Sequence, residues 1–211
     1  MPASRIHLVR HGEVHNPEGI LYGRLPHFRL SERGHEMAAL AAKELKARGV
    51  KVGSLYASPL LRTRESAEHI QELFGVEPVT DERLIEPTNI FEGRKLSART
   101  IAIRPHLVYH LRNPNQPSWG EPYVNIVARM LEAMNDIAAK TVGGDAVVVT
   151  HQLPIWITHR HLAGERLAHN PSARRCALSS ITTFEKTADG WVEIAYANPA
   201  EALLAVDKGA V

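Results

Sequence analysis

Short apolar runs along this chain are separated by longer stretches whose apolar residues recur at helical spacing. Residues 6–9 form a run of the first kind and read as a buried strand. A helix over residues 31–48 follows. Ser31 is placed to cap it, Met37, Leu40, Ala41 and Leu45 share one face, and Gly49 stands as its stop. Residues 54–57 predict a second strand. Ser58-Pro59 then reads as a cap with proline at the first helical position. The helix it opens runs over 60–74, turns Ala67, Ile70, Leu73 and Phe74 inward, and ends at Gly75. Residues 78–80 fit a third short strand.

Between residues 82 and 122 the pattern weakens, because Pro87, Pro105, Pro114, Pro117 and Pro122 interrupt it. Loops with one or two short helices are expected there. Irregular stretches of this length inside compact domains often form lids. Regular spacing returns over 123–139, where Val127, Met130, Leu131, Met134, Ile137 and Ala138 predict a helix. Gly143-Gly144 turns the chain into Ala146-Val147-Val148-Val149, a run suited to a strand covered on both faces. A helix over 153–162 comes next. Two strand-like segments, 179–185 and 191–196, flank Asp189-Gly190, a hairpin signal.

Strands alternating with helices predict an α/β fold, a three-layer α/β/α sandwich on a mostly parallel sheet. The terminal hairpin supplies an antiparallel edge. The length of 211 residues suits a single domain, with residues about 91–123 as a lid-like insertion. Net charge is only +2, and the basic residues are scattered rather than gathered into the stripe a nucleic-acid surface needs. No apolar run approaches the roughly 18 residues a membrane helix requires, and residues 1–9 show no signal-peptide core. The expected location is the cytoplasm, with neither nucleic acid nor membrane as partner; a homodimer is compatible with the sequence. Cys176 is the single cysteine, so no intrachain disulfide forms.

In open α/β sheets ligands bind beyond the carboxyl ends of the strands. That rule selects Arg10-His11, residues 58–64, and Thr150-His151-Gln152. Together they offer histidines, arginines and helix N-termini. Arginine's planar fork matches phosphoryl oxygens and keeps its charge. A helix N-terminus adds N–H groups and a positive dipole end. A neutral imidazole can attack phosphorus and hold the group covalently.

Four ordered segments carry a resemblance: Leu8-Val9-Arg10-His11-Gly12-Glu13; Tyr56-Ala57-Ser58-Pro59-Leu60-Leu61-Arg62-Thr63; Leu84-Ile85-Glu86 with Phe91-Glu92-Gly93; and Val148-Val149-Thr150-His151. The chain resembles the histidine phosphatase superfamily, which includes the cofactor-dependent phosphoglycerate mutases. The resemblance implies that His11 is the nucleophile and that Arg10 and Arg62 grip the phosphoryl oxygens. It gives His151 a hydrogen bond to the same group and makes Glu86 the general acid and base, with Glu92 as the alternative acid. Neither metal nor organic cofactor is implied. Asn16, Gly23, Arg24 and Gln152 are further candidates for phosphate or substrate contact.

The chain departs from the family pattern in places. Asn16 is shifted by one position, Phe91 replaces a usual Trp, and Gln152 stands where many members have Gly. Tyr22-Gly23-Arg24-Leu25-Pro26 replaces a stretch typical of the mutases, which favours hydrolysis of a small phosphorylated metabolite. A mutase and a non-catalytic phospholigand-binding module are the alternatives. His7, His11 and His15 share a four-residue spacing, but a strand would not converge them on a metal. His159 and His161 would point apart on a helix. Arg94, Lys95, Arg99 and Arg104 read as a solvated face or a pocket mouth, Arg174-Arg175 as a surface pair, and Cys176 as a buried small side chain.

Overall fold

The computed structural model of the chain describes residues 3–95 and 120–203. Its strands are β1 (Arg5–Arg10), β2 (Val52–Ala57), β3 (Pro78–Thr80), β4 (Asp145–Thr150), β5 (Ile181–Thr187) and β6 (Gly190–Ala197). The four longer helices are α1 (Glu32–Ala47), α2 (Leu61–Phe74), α3 (Tyr123–Lys140) and α4 (Gln152–Leu162). The strands form one sheet in the order β3-β2-β4-β1-β5-β6. Neighbours from β3 through β1 run parallel, and β5 and β6 are antiparallel. The expected sandwich on a mostly parallel sheet is what forms. Its antiparallel edge is two strands wide, because the Ala188-Asp189 turn returns the chain directly alongside β5.

The valine run of β4 lies between β1 and β2, where both faces are covered. Its pleat divides the core. Ala146 and Val148 join Ile6 and Leu8 in packing against α3 and α4. Val147 and Val149 join Val9, Leu55 and Ala57 against α1 and α2. Leu45 and Met130 anchor the two layers and are fully buried. Truncating either to alanine is expected to cost about 2–5 kcal/mol.

Local signals act where they were read, with one informative exception. The Ser31 hydroxyl accepts from the Gly34 N–H, and Gly49 takes a φ of 71° after α1. Helix α2, however, begins at Leu61 rather than at residue 60, and no side chain caps it. Ser58 is not its cap. The Ser58 hydroxyl faces His151 instead, at 2.8 Å.

Of the segment read as irregular, Glu82–Leu84 forms a single 3-10 turn. An isolated antiparallel bridge between Asn89 and Gly120 brings the two ends of the insertion together. Residues 96–119 lie outside the described residues, and with them most of the lid expected at 91–123, including Arg99 and Arg104. His7 is buried, with Nδ1 2.9 Å from Thr183 Oγ1 and Nε2 3.3 Å from Asp145. Among the described residues, no helix is long and apolar enough to cross a membrane.

Candidate active site

The carboxyl ends of β1, β4 and β2 meet at one edge of the sheet, and the expected residues gather there. His11 follows β1 directly. Its backbone N–H donates to Thr150 O at 3.1 Å, and its carbonyl accepts from Ser179 N at 3.2 Å. The ring is held as firmly as the backbone. His11 Nδ1 lies 2.8 Å from Gly12 O, which can only accept, so Nδ1 carries the proton and Nε2 keeps its lone pair. Burial, with Arg62 and Arg10 nearby, drives its pKa well below the usual histidine value. The ring is therefore neutral at physiological pH.

Gly12 is a steric requirement. A Cβ there would sit 2.2 Å from Gly34 O, because the N-terminal turn of α1 packs directly on this loop. The Gly12 N–H donates to Ser66 Oγ on α2 at 3.1 Å. Both helices of that layer thus fix the residue beside His11.

Arg62, in the first turn of α2, is 1% exposed. One Nη donates to Gly23 O at 2.7 Å and approaches His151 Nδ1 at 3.3 Å. Tyr22 lies under the guanidinium, 4.8 Å from ring centroid to Cζ. The buried Nε–H meets no acceptor among the described residues. A buried donor left so costs about 1–3 kcal/mol, which an incoming oxyanion would relieve. Arg10 reaches the other way, with Nη1 on Cys176 O at 2.7 Å.

His151 caps the start of α4 and stands 5.2 Å from His11, ring to ring, at 65°. Its Nδ1 accepts from Arg62, so its Nε2–H donates to Ser58 Oγ. Burial and the surrounding cations hold its pKa well below normal. Its 3.7 Å approach to Glu86 is therefore a contact between a neutral ring and a carboxyl group, not an ion pair.

Glu86 is buried, and desolvation raises its pKa although Arg62, Arg174, Arg10 and Arg129 pull the other way. Three backbone carbonyls fix its segment. Thr150 Oγ1 donates to Leu84 O at 2.6 Å, Arg129 to Arg83 O at 2.5 Å, and Arg24 Nε to Glu86 O at 2.5 Å. Arg24 also lies 3.4 Å from Glu121, so its guanidinium ties the Glu86 backbone to that carboxylate.

Arg10, His11, Gly23, Arg62, Glu86 and Gln152 line one cleft together with Tyr22. Gly23 has a φ of 37°, and a Cβ there would run into Glu92 at 2.2 Å. Glu92 itself accepts from Asn89 N at 3.0 Å and does not line the cleft, whereas Glu86 does. Asn16 closes its own loop, donating to Ile20 O at 2.8 Å and accepting from Ile20 N at 3.2 Å. Gln152 opens α4 and accepts from Arg174 at 3.1 Å.

Two residues take roles the sequence did not suggest. Ser58 orients His151, which a Ser-Pro cap signal concealed. Arg174, expected on the surface, reaches inward to Gln152 and to the electrostatic field of Glu86. Nothing in local sequence distinguishes it from Arg175, which is exposed. Cys176 is buried as expected, and burial pushes its thiol up to about 11. No group of three metal-ligating side chains occurs among the described residues.

The profile of the histidine phosphatase superfamily (branch 1) matches residues 6–199. The chain is 46% identical over 198 residues to an uncharacterised protein of Mycobacterium tuberculosis, covering 93% of this chain and 97% of that one. It is 34% identical over 179 residues to the 2,3-bisphosphoglycerate-dependent phosphoglycerate mutase of Thermoplasma acidophilum (82% and 84% covered). Identity to phosphoserine phosphatase 1 of Hydrogenobacter thermophilus is 29% over 165 residues (76% and 77%). The solved structure of Bacillus stearothermophilus YhfR superposes with a TM-score of 0.77 at 25% identity, covering 99% of this chain and 98% of that one. The chain belongs to the histidine phosphatase superfamily, whose members named here include both a mutase and a phosphatase.

Proposed function

We propose that the protein hydrolyses a small phosphomonoester through a phosphohistidine at His11. The observation that carries this reading is the pairing of a neutral, proton-fixed imidazole with a buried arginine whose Nε–H meets no acceptor among the described residues, in one cleft with a carboxyl group of raised pKa.

In the first step the Nε2 lone pair of His11 attacks phosphorus. The bond from phosphorus to the alcohol oxygen breaks, and the Glu86 proton passes to that oxygen. Arg10, Arg62 and the N-terminus of α4 hold the equatorial oxygens, where charge develops. In the second step the Glu86 carboxylate takes a proton from water as the water oxygen attacks phosphorus. The P–N bond breaks, inorganic phosphate leaves, and His11 and Glu86 return to their starting forms. His151, neutral and oriented by Ser58, accepts from Arg62 through Nδ1 and so helps to hold that guanidinium in the site.

Phosphohistidine is labile in acid and stable in alkali. Brief exposure to 32P-labelled substrate is expected to leave label on the protein after an alkaline quench and lose it after an acid quench. His11→Ala is expected to abolish both labelling and turnover; wild-type turnover by that variant refutes the mechanism. The 34% identical mutase favours a second reading, transfer of phosphate within one substrate. Tyr22-Gly23-Arg24 weighs against it. Product analysis separates the two: free phosphate accumulates in hydrolysis, and an isomer forms with little free phosphate in mutase action.

A further inference from the structure

A second pair of imidazoles lies between α1 and α2. His35, in the first turn of α1, places Nδ1 3.1 Å from Nε2 of His69 on α2. The rings stand edge to face, with centroids 5.3 Å apart. Both side chains are half-buried, and neither lines the catalytic cleft.

Two ring nitrogens this close have room for one proton or one cation between them, not for two protons. His69 Nδ1 lies 3.9 Å from Glu72 Oε2, which favours the proton on Nδ1 and leaves the Nε2 lone pair facing His35. A carboxylate on the outer nitrogen is also how metal-ligating imidazoles are commonly oriented. Burial and the neighbouring His35 lower the pKa of His69, while Glu72 and Glu68 oppose them. A ligand must be unprotonated on the binding nitrogen, and His35 meets that condition by moving its own proton from Nδ1 to Nε2.

The spacing fits a shared ion. Bonds of about 2.0–2.1 Å from zinc to two imidazole nitrogens that stand 3.1 Å apart enclose about 98°, between the octahedral and tetrahedral angles. The ion sits to one side of the line between the nitrogens, and each ring meets it by tilting. Glu32, three residues before His35, and Glu65, four before His69, line an open groove together with His35. Those spacings put each carboxylate on the helix face of its histidine. Glu65 Oε2 is committed to Leu30 N at 2.6 Å, and Arg29 and Arg33 line the groove as well. Among the described residues no group of three side chains surrounds an ion position, so water completes the coordination.

We propose that His35 and His69 form a two-imidazole site for a zinc-class divalent cation that clamps α1 to α2. Imidazole suits zinc, copper and nickel, whereas magnesium prefers oxygen donors. The clamp adjoins the contacts that hold the loop after His11. Gly34, next to His35, packs on Gly12, and Ser66, one turn before His69, accepts from the Gly12 N–H. The site stands whether or not His11 is the nucleophile.

Full-length protein, stripped with a chelator and held in a non-coordinating buffer at pH 7.5, is titrated with Zn2+ by calorimetry. Saturable binding at this pair is expected. His35→Gln and His69→Gln should each weaken it at least about 10-fold, and protons should weaken it at pH 5.5. Mg2+ should not bind there. A 100-fold excess of Zn2+ over its Kd should raise the melting midpoint by about 5–10 °C. Imidazole 15N NMR of the wild-type protein is the direct readout, with His35 Nδ1 and His69 Nε2 shifting on saturation, and it needs no variant to fold. No saturable Zn2+ binding, equal affinity in wild type and both variants, or saturation that leaves those two nitrogens unshifted overturns the site.

Discussion

Replacing Glu86 with glutamine separates the two duties assigned to that side chain. General acid–base catalysis of this type contributes roughly 10²–10⁴-fold, or about 3–5 kcal/mol at ~1.4 kcal/mol per decade. An alkyl phosphate leaves as a poor alkoxide and needs the proton, so E86Q is expected to lose this whole factor on propyl phosphate. 4-Nitrophenyl phosphate leaves as a stabilised phenolate, so its first step survives. The second step still lacks a base, and phosphohistidine should accumulate. Stopped-flow absorbance is therefore expected to show a burst of nitrophenolate stoichiometric with enzyme, followed by slow turnover. Stability supplies an independent check. Burial raises the folded pKa of Glu86, so the folded chain binds the proton more tightly than the unfolded chain. Stability is lost as pH rises from the unfolded carboxyl pKa, about 4.3, through the folded value. Glutamine mimics the protonated acid and escapes that loss. E86Q is expected to melt higher than wild type at pH 8 and to match it near pH 4. Equal slowing of both substrates without a burst, or a lower melting temperature at pH 8, refutes the assignment.

Two further predictions concern the surroundings of His11. Gly12→Ala places a Cβ 2.2 Å from Gly34 O, so α1 must shift; thermal melts should fall by several degrees and turnover by at least about 10-fold, since a small misplacement of reacting groups is costly. His11 and His151 have depressed folded pKa values, so the unfolded chain takes up protons first and stability drops as pH falls below about 6.5. Urea titrations at pH 7.5 and 5.5 should show a lower midpoint at pH 5.5, and a His11→Gln variant should lose less over that interval; identical losses would falsify the link to His11.

Legibility of the sequence followed the range over which each cause acts. The valine run of β4 and the spacing of α3 are local signals of core burial, and both elements formed within a residue or two of their expected bounds. The convergence of Arg10, His11, Arg62, Glu86 and His151 was legible because each stands at a strand end or in the segment after one, and four such segments repeat a family order. Ser58 was misread because a Ser-Pro pair has a local explanation, helix capping, while its actual partner lies 93 residues away. Arg24 and Asn16 have the chemistry of phosphate ligands, but their groups meet Glu86 O and the Ile20 backbone. Arg174 was invisible for a stronger reason. Only the path of the chain between α4 and β5 decides which of two adjacent arginines turns inward.

Burial shifts the pKa values of His11 and Glu86, the proposed nucleophile and acid, in opposite directions, and in both it favours the neutral form. Removing water disfavours any ionised form, so His11 loses its proton more easily and Glu86 keeps one more readily. The arginines break this symmetry. Arg62 and Arg10 reinforce the neutrality of His11, while Arg62, Arg174 and Arg10 all oppose protonation of Glu86. As the proposed acid, Glu86 therefore depends on desolvation exceeding several nearby cations, whereas His11 as the proposed nucleophile does not. A bound phosphomonoester shifts this balance in a useful direction, because its negative charge offsets the arginines and favours the proton on Glu86. On this reasoning Glu86 is best prepared for its proposed role when the site is filled, and the proposed hydrolysis is tied to occupancy by an anion rather than to the resting state of the carboxyl group.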